Sequence, residues 1–516
     1  MSPALAEALA ELPALIRAHL LLSGAAVAIG VAVGLPLAIV ATRRRAVRTP
    51  LLAFAGLVQT IPALALLALF YPALLILGQA TGLPIPALGF LPALIALSLY
   101  ALLPILRNGI AALQGIDAGV IEAADGLGMT RRQRLTMVEL PLGASVILAG
   151  IRTAAVWTIG AATLATTVGQ LSLGDLIFSG LQTENWVRVL AGCGAAAALA
   201  LVVDALLALV EAGLRRRSRW RVRLGLGALA AALVLAFLPL AGGGGAAPGN
   251  GRVVVIGAKN FSEQYILASV IERRLQAAGY RTERRDNLGS TVAYQALANG
   301  DIDVYVDYSG TLWGNILQRT DTPAPQAMLD TLTGELHRRD GVLLMGGLGF
   351  ENAYALAMRR QRAEALGIRS LADLTRAAPQ LQLGADLEFL TRPEWRSVQG
   401  RYGLAFAGQR SFSPTFMYRA IADGSADVIT AFSSDGRIAA LDLVTLADPR
   451  RALPSYDAVL LVTATRAGEP RFVEALRPLL GAIGVERMRQ ANLMVDRDTD
   501  KRTPAEAGRW LDAGQR

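Results

Sequence analysis

A single cysteine, Cys193, and two histidines, His19 and His337, in a chain of 516 residues exclude several chemistries at the outset. Cys193 lies in an apolar run, so neither a disulfide framework nor a thiolate metal site is expected. So few imidazoles leave no basis for histidine-ligated metal or a nucleophile-base triad, and the expectation is no metal and no catalytic residue. The pattern G-x-x-x-x-G-K-[ST] occurs nowhere, which excludes ATP binding by a P-loop. Charge is sparse in the first half of the chain, and the mean hydropathy is +0.42. Together these exclude a single soluble fold and indicate a multi-pass membrane protein with room for more than one domain. The net charge of +9 rests almost wholly on arginine, much of it in short runs beside apolar segments. That placement marks a cytoplasmic membrane face, and no nucleic-acid partner is expected.

What is present is a series of long apolar runs. Residues 1–17 read as an amphipathic start without a cleavage-site pattern. A first span covers about Ala18 to Thr42 and is closed by Arg43, Arg44, Arg45 and Arg48. A second runs from Leu51 to Leu77, and a third from Leu88 to Leu106, ending at Arg107. After a charged loop over 115–141, a fourth span covers Ala144 to Thr166, with Arg152 in snorkelling reach of the inner interface. Residues 168–187 are too interrupted by Gly169, Gly174, Asp175 and Gly180 to be a plain span, and read equally as a re-entrant segment or an outer loop. A fifth span, Val189 to Ala212, completes a membrane domain over 18–213 and stops at the basic run Arg215 to Arg223. A sixth, Leu224 to Ala241, makes 214–241 a basic cytoplasmic turn and a membrane anchor. The basic clusters after spans one, three and five fall on one side, and the even count leaves the remainder of the chain outside the cytoplasm. A Gly-rich linker over 242–251 leads into it.

The charged loop carries Glu122, Asp125, Arg131, Arg132, Arg134 and Glu139, so it cannot lie in lipid. Within it Glu122, Ala123, Ala124, Gly128, Val138, Leu140 and Pro141 stand at fixed spacing. The alanines permit close helix approach, Gly128 permits a turn, and Pro141 opens the next helix in its first turn. This pattern resembles the coupling loop of ABC importer permeases. The resemblance implies an all-α transmembrane permease with a methionine-importer-like core, paired as a homodimer in the inner membrane. It also implies docking through Glu122, Ala123, Ala124, Gly128, Leu140 and Pro141 on a separate ABC ATPase, which holds ATP and Mg. This chain would then bind no cofactor and be no enzyme.

From Arg252 the text changes to alternating strands and helices of an α/β domain over 252–516. VVVIGA reads as a strand and Ser262 as the cap of the next helix, whose apolar face is Ile266, Leu267, Val270, Ile271 and Leu275, ended by Gly279. The length suits two lobes around a cleft, lobe 1 about 252–350 and 457–516, lobe 2 about 351–456. An internal echo supports this: Val292 to Gly310 aligns without a gap on Phe416 to Ser434, each reading helix, glycine stop, strand, aromatic. Ligands bind off the carboxyl ends of strands, so Tyr308 and Phe432 are expected to face each other across the cleft. Asp301, Asp303 and Asp307 alternate along one strand and read as a solvated strand edge.

The stretches GAKNFSEQ (257–264), LGST (288–291), DIDVYVDYSGT (301–311), NAYALAM (352–358), EFLTRP (388–393), AFSSDGRI (431–438) and PSYDA (454–458) resemble binding proteins of osmoprotectant importers for glycine betaine, carnitine and choline. The resemblance implies a two-lobed, type II periplasmic-binding-protein-like fold with an aromatic box at Tyr308, Tyr354, Phe432 and Tyr456 around a trimethylammonium group. A quaternary ammonium has no N–H to donate, and aromatic faces recognise it by charge. A zwitterion's carboxylate wants hydroxyls, backbone N–H groups or arginine, and Asn260, Gln264, Thr291, Thr311 and Arg392 are the candidates. The chain departs from the family pattern at Phe432 in place of tyrosine, Ser309 in place of threonine, and Glu394-Trp395 in place of Asp-Gly, a change expected to alter the rim. Fusions of this kind also look like ergothioneine importers and bile-exclusion systems, so the small zwitterion expected is of the glycine betaine, choline, carnitine or ergothioneine class. Two rivals are the same machine importing a non-betaine amino acid, and a membrane-bound ligand sensor without an ATPase.

Overall fold

The computed structural model of the chain describes residues 3–83, 85–183, 185–237, 253–386, 389–412, 414–497 and 499–514. The Gly-rich linker expected at 242–251 lies outside these residues, as does the end of the sixth apolar run. The chain divides into two compact units, one helical and one α/β.

In the helical unit, α1 (Pro3–Arg43) runs unbroken for 41 residues. At about 1.5 Å per residue it outruns a hydrocarbon core of about 30 Å. The expected separate segment over 1–17 is therefore not separate: from Pro3 it belongs to α1, where Glu11 pairs at 2.8 Å with Arg188. The expected single span from Leu51 to Leu77 is two helices, α2 (Arg45–Thr60) and α3 (Ala63–Thr81), bent by 103°. Proline is the cause. Pro62 lacks an N–H and forces Ile61 into an extended conformation (φ −76°, ψ 125°), which ends the first helix. Then come α4 (Phe90–Gln114), α5 (Ala118–Gly126), α6 (Arg131–Arg134), α7 (Leu140–Ala162), α8 (Gly174–Gln182), α9 (Trp186–Arg215) and α10 (Arg219–Phe237). By length and composition α1, α4, the run Arg131–Val168, α9 and α10 are able to cross a bilayer, and α2 with α3 only as a pair.

Small residues let these helices touch. A Cβ on Gly30 would lie 2.8 Å from that of Ala101, and one on Gly109 2.9 Å from that of Ala38, so α1 and α4 meet backbone to backbone. Arg152 of α7, expected within snorkelling reach of the inner interface, pairs with Asp204 (2.9 Å) and Glu211 (2.7 Å) of α9, the latter one turn before the basic end of that helix. In the interrupted stretch after α7, Asp175 accepts from the Thr166 hydroxyl and the Ser172 N–H. His19 of α1 bridges α7 and that stretch. One ring nitrogen contacts the Ile159 carbonyl at 2.9 Å and the other accepts from the Leu173 N–H at 3.3 Å.

The α/β unit has two five-stranded sheets with the same pattern of parallel and antiparallel pairs. The first has β1 (Val254–Lys259) parallel to β2 (Thr282–Leu288) and β3 (Val304–Tyr308), then antiparallel β10 (Asp457–Thr463) and β4 (Val342–Glu351), in the order β2-β1-β3-β10-β4. The second has β6 (Gln382–Asp386) parallel to β7 (Gly408–Phe412) and β8 (Val428–Phe432), then antiparallel β5 (Tyr354–Arg359) and β9 (Leu443–Thr445), in the order β7-β6-β8-β5-β9. Helix α11 (Ser262–Ala277) joins β1 to β2, and α12 (Ser290–Ala298) joins β2 to β3. The sequence echo corresponds to α12–β3 and to helix Pro414–Ala422 with β8, each stopped by a left-handed glycine, Gly300 (φ +76°) and Gly424 (φ +84°), before the central strand of its sheet.

Two expectations are corrected here. Ser262 does not cap α11: Phe261 is the cap residue, and the Ser262 hydroxyl donates instead to Asp496 at 2.5 Å. Asp307 is not a solvated edge residue. Its strand is the middle of the sheet, so its carboxylate is fully buried and paired to Lys259 at 2.7 Å, while Asp303 pairs with Arg466.

Candidate functional site

The chain passes from one sheet to the other at Asn352–Ala353 and returns just before Tyr456, and the Asn352 N–H donates to the Tyr456 carbonyl at 2.9 Å. The aromatics converge at these crossings because register puts them there. Tyr354 and Phe432 are directly opposed on β5 and β8, and their ring centroids lie 4.9 Å apart. Tyr456 meets Tyr354 edge-on at 5.6 Å, and Phe389 closes a third side at 4.9 Å. The guanidinium of Arg392 lies 5.4 Å from the Tyr354 centroid, and its Nη1 donates to the Tyr456 hydroxyl at 3.3 Å. That hydroxyl donates to Glu394, so Glu394 is buried against Tyr456 and is not a rim residue; Trp395 is likewise buried, against Phe389 and Phe406. Both lie in the first turn of the helix that Pro393 opens.

Tyr308 also belongs to a neighbouring network. It ends β3 stacked on Phe261 at 6.1 Å, with Lys259 Nζ 4.8 Å from its ring centre. Its hydroxyl accepts from Gln264 at 3.0 Å and donates to Glu263 Oε1 at 2.5 Å. Glu263 Oε1 also accepts from Asn352 Nδ2 (3.1 Å), and Oε2 from Asn492 Nδ2 (2.8 Å). Burial pushes the Glu263 carboxyl above the ordinary carboxylate range, opposed by hydrogen bonds from Ser434, Tyr308 and Asn492. Gly310, two residues after Tyr308, packs against Tyr456: a Cβ there would stand 2.7 Å from both the Ser455 carbonyl and the Tyr456 ring. Thr311 is buried on the same turn. Asn260 and Thr291 are exposed.

Beside these groups is a cavity of about 70 Å³ whose walls include Phe261, Glu263, Asn352, Phe432, Asn492 and Asp496. Burial pushes the Asp496 carboxyl up to about 6. Sequence reasoning passed over Glu263, Asn352 and Asn492. The first two lie inside quoted stretches, adjacent to Gln264 and two residues before Tyr354, so their position was the available signal. Asn492 comes from helix Val485–Asp496, far along the chain, and carried none.

The coupling-type loop is ordered by local chemistry. Asp117 caps α5 through the Gly119 N–H, Gly128 turns the chain at φ +73°, and Thr130 with Gln133 forms a capping box. Arg134 bridges Asp125 (2.7 Å) and Glu139 (2.8 Å). Glu122, Ala123, Gly128 and Pro141 are exposed, Ala124 is buried and Leu140 is half-buried. Leu127 and Met137 are 78% and 65% exposed, an apolar surface that the internal ion pairs leave uncovered.

Residues 252–513 match the family described as the substrate-binding domain of an ABC-type glycine betaine transport system, and residues 30–216 match the binding-protein-dependent transport system inner membrane component. The ergothioneine transport permease/ergothioneine binding protein EgtU of Helicobacter pylori (strain G27) is 28% identical over 461 residues, 87% of this chain and 81% of its own length. The choline transport system permease protein OpuBB of Bacillus subtilis (strain 168) is 38% identical over 203 residues, 38% of this chain and 88% of its own. A crystal structure of a glycine betaine/carnitine/choline ABC transporter, 25% identical, covers 51% of this chain and 98% of its own at a TM-score of 0.46.

Proposed function

The chain belongs to the substrate-binding family of ABC-type glycine betaine transport systems, joined to a transport-system inner membrane component, and from that premise we propose that it is the permease and binding subunit of an ATP-driven importer. Its solute is a trimethylammonium compound of the glycine betaine, choline, carnitine or ergothioneine class. The observation that carries this is the cluster of Tyr354, Phe432 and Tyr456, in which a guanidinium already lies over the Tyr354 face. A ring face that accepts one cation accepts another, and each such contact is worth about 0.5–2 kcal/mol.

In this reading α2 and α3 count as one crossing, which puts the basic clusters Arg43–Arg48, Arg107 and Arg215–Arg223 inside and the α/β unit outside. A separate ATPase docks on the exposed face of α5 and on Leu127 and Met137, and two copies of this chain form the pathway. Closure of the lobes at the Asn352 and Tyr456 crossings signals loading. The test is calorimetric titration of the full chain in detergent with glycine betaine, choline and carnitine, together with co-purification of an ABC ATPase. Binding of at least one solute is expected, as is loss of the ATPase on Gly128→Val, which strains a left-handed turn. Binding of none, or ATPase retention by both Gly128→Val and Glu122→Arg, contradicts the reading.

A further inference from the structure

We propose that the α9–α10 hairpin binds an anionic glycerophospholipid, whose phosphate sits among the arginines of the turn and whose acyl chain lies along the open face of α10. The inference is independent of the solute. Six of the nine residues from Arg215 to Arg223 are arginine, and no Asp or Glu occurs between Glu211 and Glu263. Elsewhere in the helical unit arginines find carboxylates: Arg134 has Asp125 and Glu139, Arg152 has Asp204 and Glu211, and Arg188 has Glu11. Glu211 is thus already engaged, and among the described residues the arginines of the turn have no ion-pair partner. Close packing fixes where these charges stand. A Cβ on Gly213 would lie 2.8 Å from Val222 Cγ2, and one on Gly225 2.6 Å from Val210 Cγ2, so the two helices meet backbone to backbone beside the turn. The Ser218 N–H closes α9 on the Gly213 carbonyl at 2.7 Å.

One side of α10 is occupied: Gly225 meets α9, and Leu233 lies against Gly24 of α1. The opposite side, Trp220, Leu224, Gly227, Ala231 and Val234, recurs every three or four residues and is exposed along its whole length. From Leu224 to Val234 it runs about 15 Å, the depth of one leaflet of a hydrocarbon core about 30 Å thick. The charge stands at one end of this apolar face. Arg219 and Arg223 flank it on one side and Arg221 on the other, with the Arg221 guanidinium 5.6 Å from the Trp220 ring centre. Trp220 itself is 62% exposed, and a ring with an apolar body and one N–H suits the headgroup level. A free phosphate would use the arginines alone. A zwitterionic lipid would use the apolar face but bring a cation towards the arginines. An anionic lipid satisfies both ends at once. Orienting the hairpin across the membrane needs the positive charge but not an open apolar face in register with it.

The experiment titrates the full chain in non-ionic detergent with phosphatidylglycerol and, separately, phosphatidylcholine, each with brominated acyl chains, and reads the tryptophan quenching that Trp220→Phe abolishes. Half-quenching is expected at a phosphatidylglycerol concentration at least ~10-fold below that of phosphatidylcholine. Arg219→Gln and Arg223→Gln are each expected to weaken the response to phosphatidylglycerol by about fivefold and to leave that to phosphatidylcholine unchanged, which also reports that the variant is folded. Inorganic phosphate at the same concentration is expected not to displace the lipid. Equal quenching by the two lipids in wild type overturns the site, whether or not the variants fold. Quenching that persists in full in Trp220→Phe, or a preference undiminished in both arginine variants, overturns its assignment to α10. Displacement by inorganic phosphate identifies a plain anion site and overturns the lipid.

Discussion

Replacing Tyr354 by leucine keeps most of the buried volume and removes the ring face, which isolates the electrostatic part of solute recognition. Tyr354 has Phe389 and Phe432 at 4.9 Å, Tyr456 at 5.6 Å and the Arg392 guanidinium at 5.4 Å. Losing one cation–π contact of about 0.5–2 kcal/mol weakens binding of a trimethylammonium solute by about 2- to 30-fold. Losing three ring-ring contacts at about 0.5–1.5 kcal/mol each also lowers stability, so the affinity must be read on protein that retains its melting transition. Tyr354→Phe keeps the face and is expected to bind within ~3-fold of wild type. The assay is isothermal titration of the full chain with glycine betaine and with its uncharged tert-butyl isostere. Wild type is expected to prefer the charged ligand, and Tyr354→Leu to lose part of that preference, a coupling that shape alone does not produce. A preference of the same size in both proteins would refute the ring-face account.

Gly310→Ala places a Cβ 2.7 Å from the Ser455 carbonyl and the Tyr456 ring, so it should destabilise the α/β unit by ~1–3 kcal/mol in thermal unfolding and weaken solute binding. Asp496 has its folded pKa raised by burial from 3.8 to about 6, so the folded form holds the proton more tightly than the unfolded form. Its contribution is complete below the unfolded value and is lost as pH rises through about 6; Asp496→Asn should therefore raise the unfolding midpoint at pH 7 and leave it near wild type at about pH 4. Arg152→Ala strips Asp204 and Glu211 of their shared cation and should lower the melting temperature in detergent by the equivalent of ~1–3 kcal/mol. Adding Asp204→Asn should recover part of that loss, and a purely additive double variant would contradict the ion-pair account.

Much of the architecture was legible because it is written in periodicity and charge. The arginine clusters after the apolar runs, the glycine stops at Gly300 and Gly424, and the repeated helix-strand unit all survive as local structure. The bend between α2 and α3 was missed since hydropathy averages over Pro62, whose effect on Ile61 is steric and local. The site was legible as residue types and not as arrangement. Tyr354 and Phe432 meet because β5 and β8 are in register, a non-local pairing that no spacing along the chain encodes. Tyr308 touches Phe261 and Glu263 at the start of α11, which only the folded chain brings beside it. Arg152 and Glu394 read as interface or rim residues from their neighbours in sequence, yet each finds its partner about 50 or more residues away, in Asp204 and Tyr456.

The proposed function requires the aromatic cluster and the coupling-type loop to lie on opposite faces of one membrane. Its most direct test is cysteine labelling in a Cys193→Ser background, with Arg338→Cys on the exposed surface of the α/β unit and Arg131→Cys in the loop. A membrane-impermeant maleimide applied to intact, outer-membrane-permeabilised cells is expected to label Arg338→Cys at once and Arg131→Cys only after the inner membrane is opened. Labelling in the reverse order, or of both positions from outside, contradicts the account.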